Sequence, residues 1–214
     1  MKRTLVILSV IIGIVILAFL ATYLFDQSYR PEPEVLQNLE EQYGEPHIVN
    51  RADEQMLVIR TIGDPSEFGG KAIMKLFNVY TDLSSDEISM TDEDFPAPRA
   101  RWPKPLDTPL DEYEGHWALP APEGLTELPE IDSADGLEVE LITWQQGPVA
   151  EILHIGSYEA EVPTINRLKE YVESQGYELV GPHEEEYWNG PSMFPYLNDP
   201  DEYYTVIRYR VRKK

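Results

Sequence analysis

The same order of secondary-structure signals occurs twice along this chain. Ile62-Gly63 ends a strand-like stretch and precedes an amphipathic helix, and Ile155-Gly156 stands in the same place before a second helix at 163–174. Two further strand-like stretches follow each helix. The spacing far exceeds the roughly 20 to 50 residue period of solenoids, so it indicates a duplication. We therefore expect an α+β fold in which two β-α-β-β units form an antiparallel sheet with two main helices and a central cleft.

An apolar run from Leu5 to Phe25 precedes these units and contains no charged residue. Because about 20 apolar residues suffice to cross a bilayer, the run predicts one transmembrane helix. A cleaved signal peptide is the alternative, but its apolar region is shorter and it ends in a small-residue cleavage site. Lys2 and Arg3 lie before the run, which favours a cytoplasmic N-terminus and an extracytoplasmic soluble domain.

The expected organisation follows from these signals. Residues 1–26 are predicted to form the membrane anchor, 27–46 a Pro-rich linker with a short helix, and 47–214 the domain itself. The acidic, turn-rich stretch from Ser84 to Pro98 is predicted to form a loop or lid.

Composition excludes several kinds of function. The formal net charge of −22 argues against nucleic-acid binding, which needs a concentrated basic surface. The chain has no cysteine, so disulfides, thiolate metal sites and a cysteine nucleophile are excluded. Its four histidines include no pair at helical i, i+4 spacing and no HExxH motif, and a structural or surface role is expected for each. We therefore expect no metal site and no cofactor.

Several segments of the domain contain short motifs that belong together. Ala150–Tyr158 contains an h-x-G-x-Y strand and turn, and Gly176–Tyr187 contains a G-Y…G-x-x-x-E-x-Y strand. These segments resemble one known family, the GyrI-like small-molecule-binding (effector-binding) domains. Segments 195–200 and 205–211 look like its closing part, while 62–65, 101–103 and 115–120 resemble members with two fused half-domains. Trp188 and Arg210 depart from the pattern, where relatives often have Leu and Pro.

The resemblance implies a cleft lined by aromatic residues, with a glutamate on its floor that meets cationic or amphipathic aromatic compounds. Three glutamates compete for that role, at positions 184, 185 and 186. Strand alternation puts Glu185 and Tyr187 on one face, with Glu184 and Glu186 on the other. Because Glu185 lies two residues before the tyrosine, as the family glutamate does, it is the predicted floor residue.

Aromatic residues are the other predicted contacts, because their faces attract cations. The candidates besides Tyr187 are Tyr158, Trp102, Tyr113 and Trp117, each of which could equally be core.

These features predict a membrane-tethered module that binds a small organic, cationic or aromatic, molecule. An unidentified membrane protein is a further conceivable partner. One alternative is a hydrolase of strained electrophilic toxins, in which Glu185 is the general base. Haem binding, as in related duplicated folds, and a pure protein-interaction domain are further alternatives.

Overall fold

The computed structural model describes residues 2–84, 95–105, 107–192 and 194–214, with side chains from residue 11 onward. Its helices are α1 (Lys2–Gln27), α2 (Pro33–Tyr43), α3 (Pro65–Leu83) and α4 (Val162–Ser174). Its strands are β1 (His47–Arg51), β2 (Glu54–Ile62), β3 (Arg99–Trp102), β4 (Glu114–Pro120), β5 (Val139–Trp144), β6 (Gly147–Ile155), β7 (Tyr177–Leu179), β8 (His183–Asn189) and β9 (Tyr204–Lys213). The predicted lid at 84–98 falls largely on residues 85–94, outside the described residues.

The strands form one antiparallel sheet in the order β1-β6-β9-β8-β3-β4-β2-β5, and β7 pairs with β9 beside this path. Strands of the first repeat, β2, β3 and β4, lie on one side of the sheet, and β6, β8 and β9 of the second lie on the other. The two halves meet where β3 pairs with β8. The α+β class and the antiparallel sheet predicted from the repeat are therefore present.

The two repeat helices cover one face of this sheet. Leu76 of α3 belongs to a buried cluster with Leu57 and Ile59 of β2, while Leu168 of α4 packs with Ile152 of β6. Helix α3 begins cleanly because the Asp64 carboxylate accepts a hydrogen bond from the Ser66 N–H at 2.9 Å and Pro65 follows the cap. We call this side of the sheet the helix face.

The repeat is visible in the backbone of its two glycine turns. Gly63 has a φ of 130° and Gly156 a φ of 132°, a conformation in which a side chain would be strained. The Gly63 N–H donates to the carbonyl of Tyr113, and the Gly156 N–H donates to the carbonyl of Tyr203. Tyr113 and Tyr203 are therefore equivalent positions of the two halves, each directly before the last long strand of its unit.

The opposite face of the sheet buries a network of ion pairs. Arg208 is 2% exposed, and its Nε donates to Glu151 Oε1 at 2.5 Å. The same guanidinium pairs with Glu186, and its Nη1 lies 3.8 Å from Glu184 Oε1. Further arginines complete the charge balance: Arg51 pairs with Glu151, Arg101 with Glu184, and Arg99 with Glu186. We call these residues the Arg208 network.

The predicted transmembrane anchor is wrong. Among the residues that the structure describes, no helix is long and apolar enough to cross a membrane. The single-pass membrane location, and the orientation drawn from Lys2 and Arg3, are corrected with it.

The end of α1 instead contacts the chain after β8. Tyr196 donates a hydrogen bond to Thr22 Oγ1 at 2.8 Å, and the Phe25 ring packs edge-on to Phe194 with centroids 6.2 Å apart. Ser192 donates from its hydroxyl to the carboxylate of Asp26. These contacts connect the helix to the domain.

Candidate functional site

The predicted floor residue lies at the junction of the two half-sheets. In β8, alternation places His183, Glu185 and Tyr187 on the helix face. Across the junction, Ala100 of β3 pairs with Glu185, and Trp102 pairs with His183. The junction therefore brings residues of both repeats together around one carboxylate.

Glu185 is 7% exposed and is held by two hydrogen bonds. His183 Nε2 lies 2.6 Å from its Oε1, and the Tyr187 hydroxyl donates to its Oε2. Burial acts to raise the pKa of Glu185, but the His183 and Tyr187 contacts outweigh burial, so the pKa is lowered. Trp102 adds to this effect, although its Nε1 has no partner at hydrogen-bond geometry among the described residues. Glu185 is thus a buried but ionised carboxylate.

A second carboxyl group, Glu161, faces the first. It precedes α4, whose Ile165 N–H bonds the Glu161 carbonyl, and it is 5% exposed. Burial and the negative charge of Glu185 raise the pKa of Glu161 to about 10. Two close, desolvated carboxyl groups cannot both ionise cheaply, so Glu161 carries the proton and Glu185 the charge.

His183 lies between the two carboxyl groups and Tyr209. Its Nδ1 lies 2.8 Å from the Tyr209 hydroxyl, and its Nε2 lies 3.9 Å from Glu161 Oε2. Ligand atoms of Glu161, His183 and Glu185 all lie within 4.8 Å of one another, and all three residues are buried. We call these three residues the Glu-His-Glu cluster.

Aromatic rings from both repeats surround the cluster. Tyr113 stacks at a tilt on Trp102 with centroids 5.3 Å apart, and burial together with the charges of Glu185 and Glu161 raises the pKa of Tyr113 to about 12. On the other side, Tyr158 lies edge-on to Tyr187 at 5.7 Å and tilted on Tyr203 at 5.4 Å. The neighbouring carboxylates also raise the pKa of Tyr187 beyond the effect of its burial.

The site is closed in this structure. Trp102 and Tyr113 are buried and Tyr187 is half-buried, whereas Tyr158 is 36% exposed. Tyr158 is therefore the outermost of these four rings, and it contacts Tyr187 directly.

Five of the predicted site residues come together at the cluster: Glu185, Tyr187, Tyr158, Trp102 and Tyr113. Trp117 lies behind them: its ring packs edge-on to Trp102 at 5.1 Å, and its indole N–H donates to Thr61 Oγ1 at 2.9 Å. A Cβ on Gly69 of α3 would lie 2.6 Å from the Trp117 ring, which places this tryptophan in the core.

Sequence reasoning missed four residues of the site: Glu161, His183, Tyr203 and Tyr209. Two of them carry a signal in the sequence, since His183 shares the strand parity of Glu185, and Tyr203 is the repeat equivalent of Tyr113. Helical i, i+4 spacing does not detect this cluster, because it combines residues of a strand with one at the start of a helix. Nothing in the local sequence marks Glu161.

A surface cavity of about 480 Å³ lies elsewhere, next to α2 and the end of α1. Its lining comprises Gln27, Arg30, Pro31, Glu32, Pro33, Leu36, Asn189, Glu202 and Tyr204. None of the buried acids of the Glu-His-Glu cluster contributes to it. We place the candidate site at the cluster because charge, aromatic rings and both repeats converge there.

A duplicated α+β sheet with a carboxylate and aromatic rings at the junction of its halves defines a class of small-molecule-binding domain. The chain belongs to the GyrI-like small molecule binding domain family, whose model matches residues 44–212.

Solved structures share this fold. An uncharacterized conserved protein from Listeria innocua and a hydrolase from Listeria innocua each superpose with a TM-score of 0.62. Their sequences are 18% and 16% identical to that of this chain, respectively. Each match covers 79% of this chain and 93% of the other protein's chain. The EcmrR C-terminal domain superposes with a TM-score of 0.51 at 14% identity, covering 79% of this chain and 98% of that one. Among curated protein sequences, none matches this chain.

Proposed function

We propose that this GyrI-like domain binds small organic cations with aromatic groups, and that Glu185 meets the positive charge. One observation carries the proposal: Glu185 is buried among aromatic rings, and its contacts with His183 and Tyr187 lower its pKa and so favour the charged form. Removal from water makes an isolated charge costly, so an incoming cation gains strong attraction at such a position.

The surrounding rings add to the attraction. A cation over the face of a tyrosine or tryptophan gains roughly 0.5 to 2 kcal/mol. Tyr158, Tyr187, Trp102 and Tyr113 supply these faces from both sides of the junction. Tyr158 would swing outward on binding, since it is the most exposed of the four.

The proposal is tested by titrating the full chain with a panel of aromatic cations of increasing size, beginning with benzyltrimethylammonium, by calorimetry. Glu185→Gln keeps the shape of the side chain and removes its charge. Because hydrogen bonds and contacts to charged groups contribute about 1.5 to 3 kcal/mol, affinity should fall about tenfold to a hundredfold. Glu159→Gln is the matched control, because Glu159 is exposed and the net charge changes equally.

Equal losses in both variants would show a diffuse acidic field and would contradict the proposal. The hydrolase hypothesis, with Glu185 as general base, stays a prediction. One of the similar structures is a hydrolase from Listeria innocua, and at 16% identity its activity is that protein's own. Turnover of an electrophilic substrate that Glu185→Gln abolishes, without cation binding by the unchanged chain, would replace binding with hydrolysis.

A further inference from the structure

We propose that the Glu-His-Glu cluster is a three-ligand site for a divalent transition-metal ion, with zinc as the best match. The inference does not depend on the binding of an organic cation. It starts from three buried side chains whose ligand atoms, one imidazole nitrogen and two carboxylate oxygens, lie within 4.8 Å of one another.

The distances between ligand atoms bracket those of a metal site. Zinc binds nitrogen and oxygen at about 2.0 to 2.2 Å, so two ligands of a tetrahedral site lie about 3.3 Å apart. His183 Nε2 lies 2.6 Å from Glu185 Oε1 and 3.9 Å from Glu161 Oε2. The ligand atoms of the two carboxylates lie within 4.8 Å of each other, so every separation is within about 1.5 Å of the tetrahedral value.

Glu161 provides an independent observation. Its Oε1 is buried and accepts no hydrogen bond from any residue that the structure describes. A buried carboxyl oxygen that accepts no hydrogen bond is costly, and native structures rarely keep one without a reason. A metal ion bound between Glu161 and Glu185 would compensate both carboxylates, with loss of the proton that the pair holds in the metal-free protein.

The neighbours of the cluster have the arrangement that metal sites use to orient their ligands. Metal-binding histidines almost always use their second ring nitrogen in a hydrogen bond, and His183 Nδ1 lies 2.8 Å from the Tyr209 hydroxyl. If Nδ1–H donates to Tyr209, Nε2 presents its lone pair to the metal. Tyr187 likewise fixes Glu185 by donating to Oε2, which leaves Oε1 directed at His183.

The ligand set selects the class of metal. One imidazole and two carboxylates suit zinc and its first-row neighbours, whereas calcium and magnesium prefer oxygen ligands alone. Three protein ligands leave a fourth position of a tetrahedral zinc open for water or another small molecule. An organic cation and the metal would compete for the charge of Glu185.

The test is a titration of the chelator-treated full chain with zinc by calorimetry, and with cobalt by visible absorption, which reports coordination directly. We expect one zinc per chain, and a cobalt spectrum with the intense bands of a four-coordinate ion. Outer-shell changes at metal sites cost about 10- to 100-fold in affinity, so loss of a ligand in Glu161→Gln should cost more than about 100-fold. Glu159→Gln, which makes the same substitution at an exposed position two residues away, should bind as the unchanged chain does.

His183→Gln removes a second ligand and should also abolish the cobalt bands. An unchanged circular dichroism spectrum would show that this loss is not caused by a folding defect. Equal zinc binding by Glu161→Gln and Glu159→Gln would overturn the proposal, as would the absence of a cobalt spectrum in the unchanged chain. Zinc affinity no greater than that for magnesium would identify a diffuse acidic surface and would also overturn it. Binding of organic cations to the metal-free chain is measured separately, so either inference can fail alone.

Discussion

Arg208→Leu should destabilise the domain strongly, because Arg208 is the centre of three buried ion pairs. Its guanidinium is 2% exposed, and burial, which disfavours its charge, is outweighed by Glu186, Glu151 and Glu184, so its pKa is raised. Removing one partner of a buried pair costs about 3 to 5 kcal/mol, since it leaves an uncompensated charge.

The remaining contacts show where that loss falls. Without Arg208, Glu151 keeps Arg51 at 2.5 Å and Glu184 keeps Arg101 at 2.8 Å. Glu186 keeps only Arg99, at 3.7 Å, among the described residues. We therefore expect most of the loss at Glu186. Adding Glu186→Gln to Arg208→Leu should recover part of the stability, which a double-mutant cycle measures as a coupling energy.

Urea denaturation followed by circular dichroism is the suitable assay, because guanidinium is a salt that screens charges. Arg212→Leu is the matched control: it lies on the same face of β9 and pairs with Glu178, but its side chain is 71% exposed. An exposed pair contributes about 0 to 1 kcal/mol. If Arg208→Leu cost no more than Arg212→Leu, the reasoning on the Arg208 network would be refuted.

Three further outcomes follow from the structure. Gly69→Ala should destabilise the domain by about 1 to 3 kcal/mol in the same urea assay, because the new Cβ meets the Trp117 ring. Gly70→Ala, which has open space around it, should stabilise the domain by up to about 1 kcal/mol. Equal effects of the two substitutions would contradict the packing of Trp117 against α3. Tyr158→Ala should speed association of an aromatic cation in stopped-flow tryptophan fluorescence, while Tyr158→Phe keeps the rate, and an unchanged rate in both would mean that this ring does not cover the site. The full chain should leave the mobility of duplex DNA unchanged at physiological salt, and a salt-sensitive shift would contradict the charge argument.

Local sequence signals predicted most of the sheet and its helices. The stretch predicted as a helix at 163–174 is α4, and the strand predicted around Glu184 to Trp188 is β8, because periodicity and glycine breaks carry this information along the chain. The period of two also separated Glu185 and Tyr187 from their neighbours correctly, as the ion pairs of Glu184 and Glu186 on the opposite face confirm.

Such local signals do not predict contacts between distant parts of the chain. Alternation could not tell that Glu184 and Glu186 are buried, since that depends on Arg208 arriving from β9. Glu161 reaches Glu185 only because α4 starts over the junction of the two half-sheets. Hydropathy alone describes the N-terminal helix as a span, and it carries no information on the contacts of this helix with Phe194 and Tyr196.

The most direct test of the central claim, that Glu185 recognises positive charge, is a comparison of one cation with its neutral isostere. Benzyltrimethylammonium and neopentylbenzene have the same shape, so the ratio of their dissociation constants isolates the effect of charge. We predict that the unchanged chain and Glu159→Gln prefer the cation, and that Glu185→Gln reduces this preference about tenfold to a hundredfold. A preference that persists undiminished in Glu185→Gln would contradict the account.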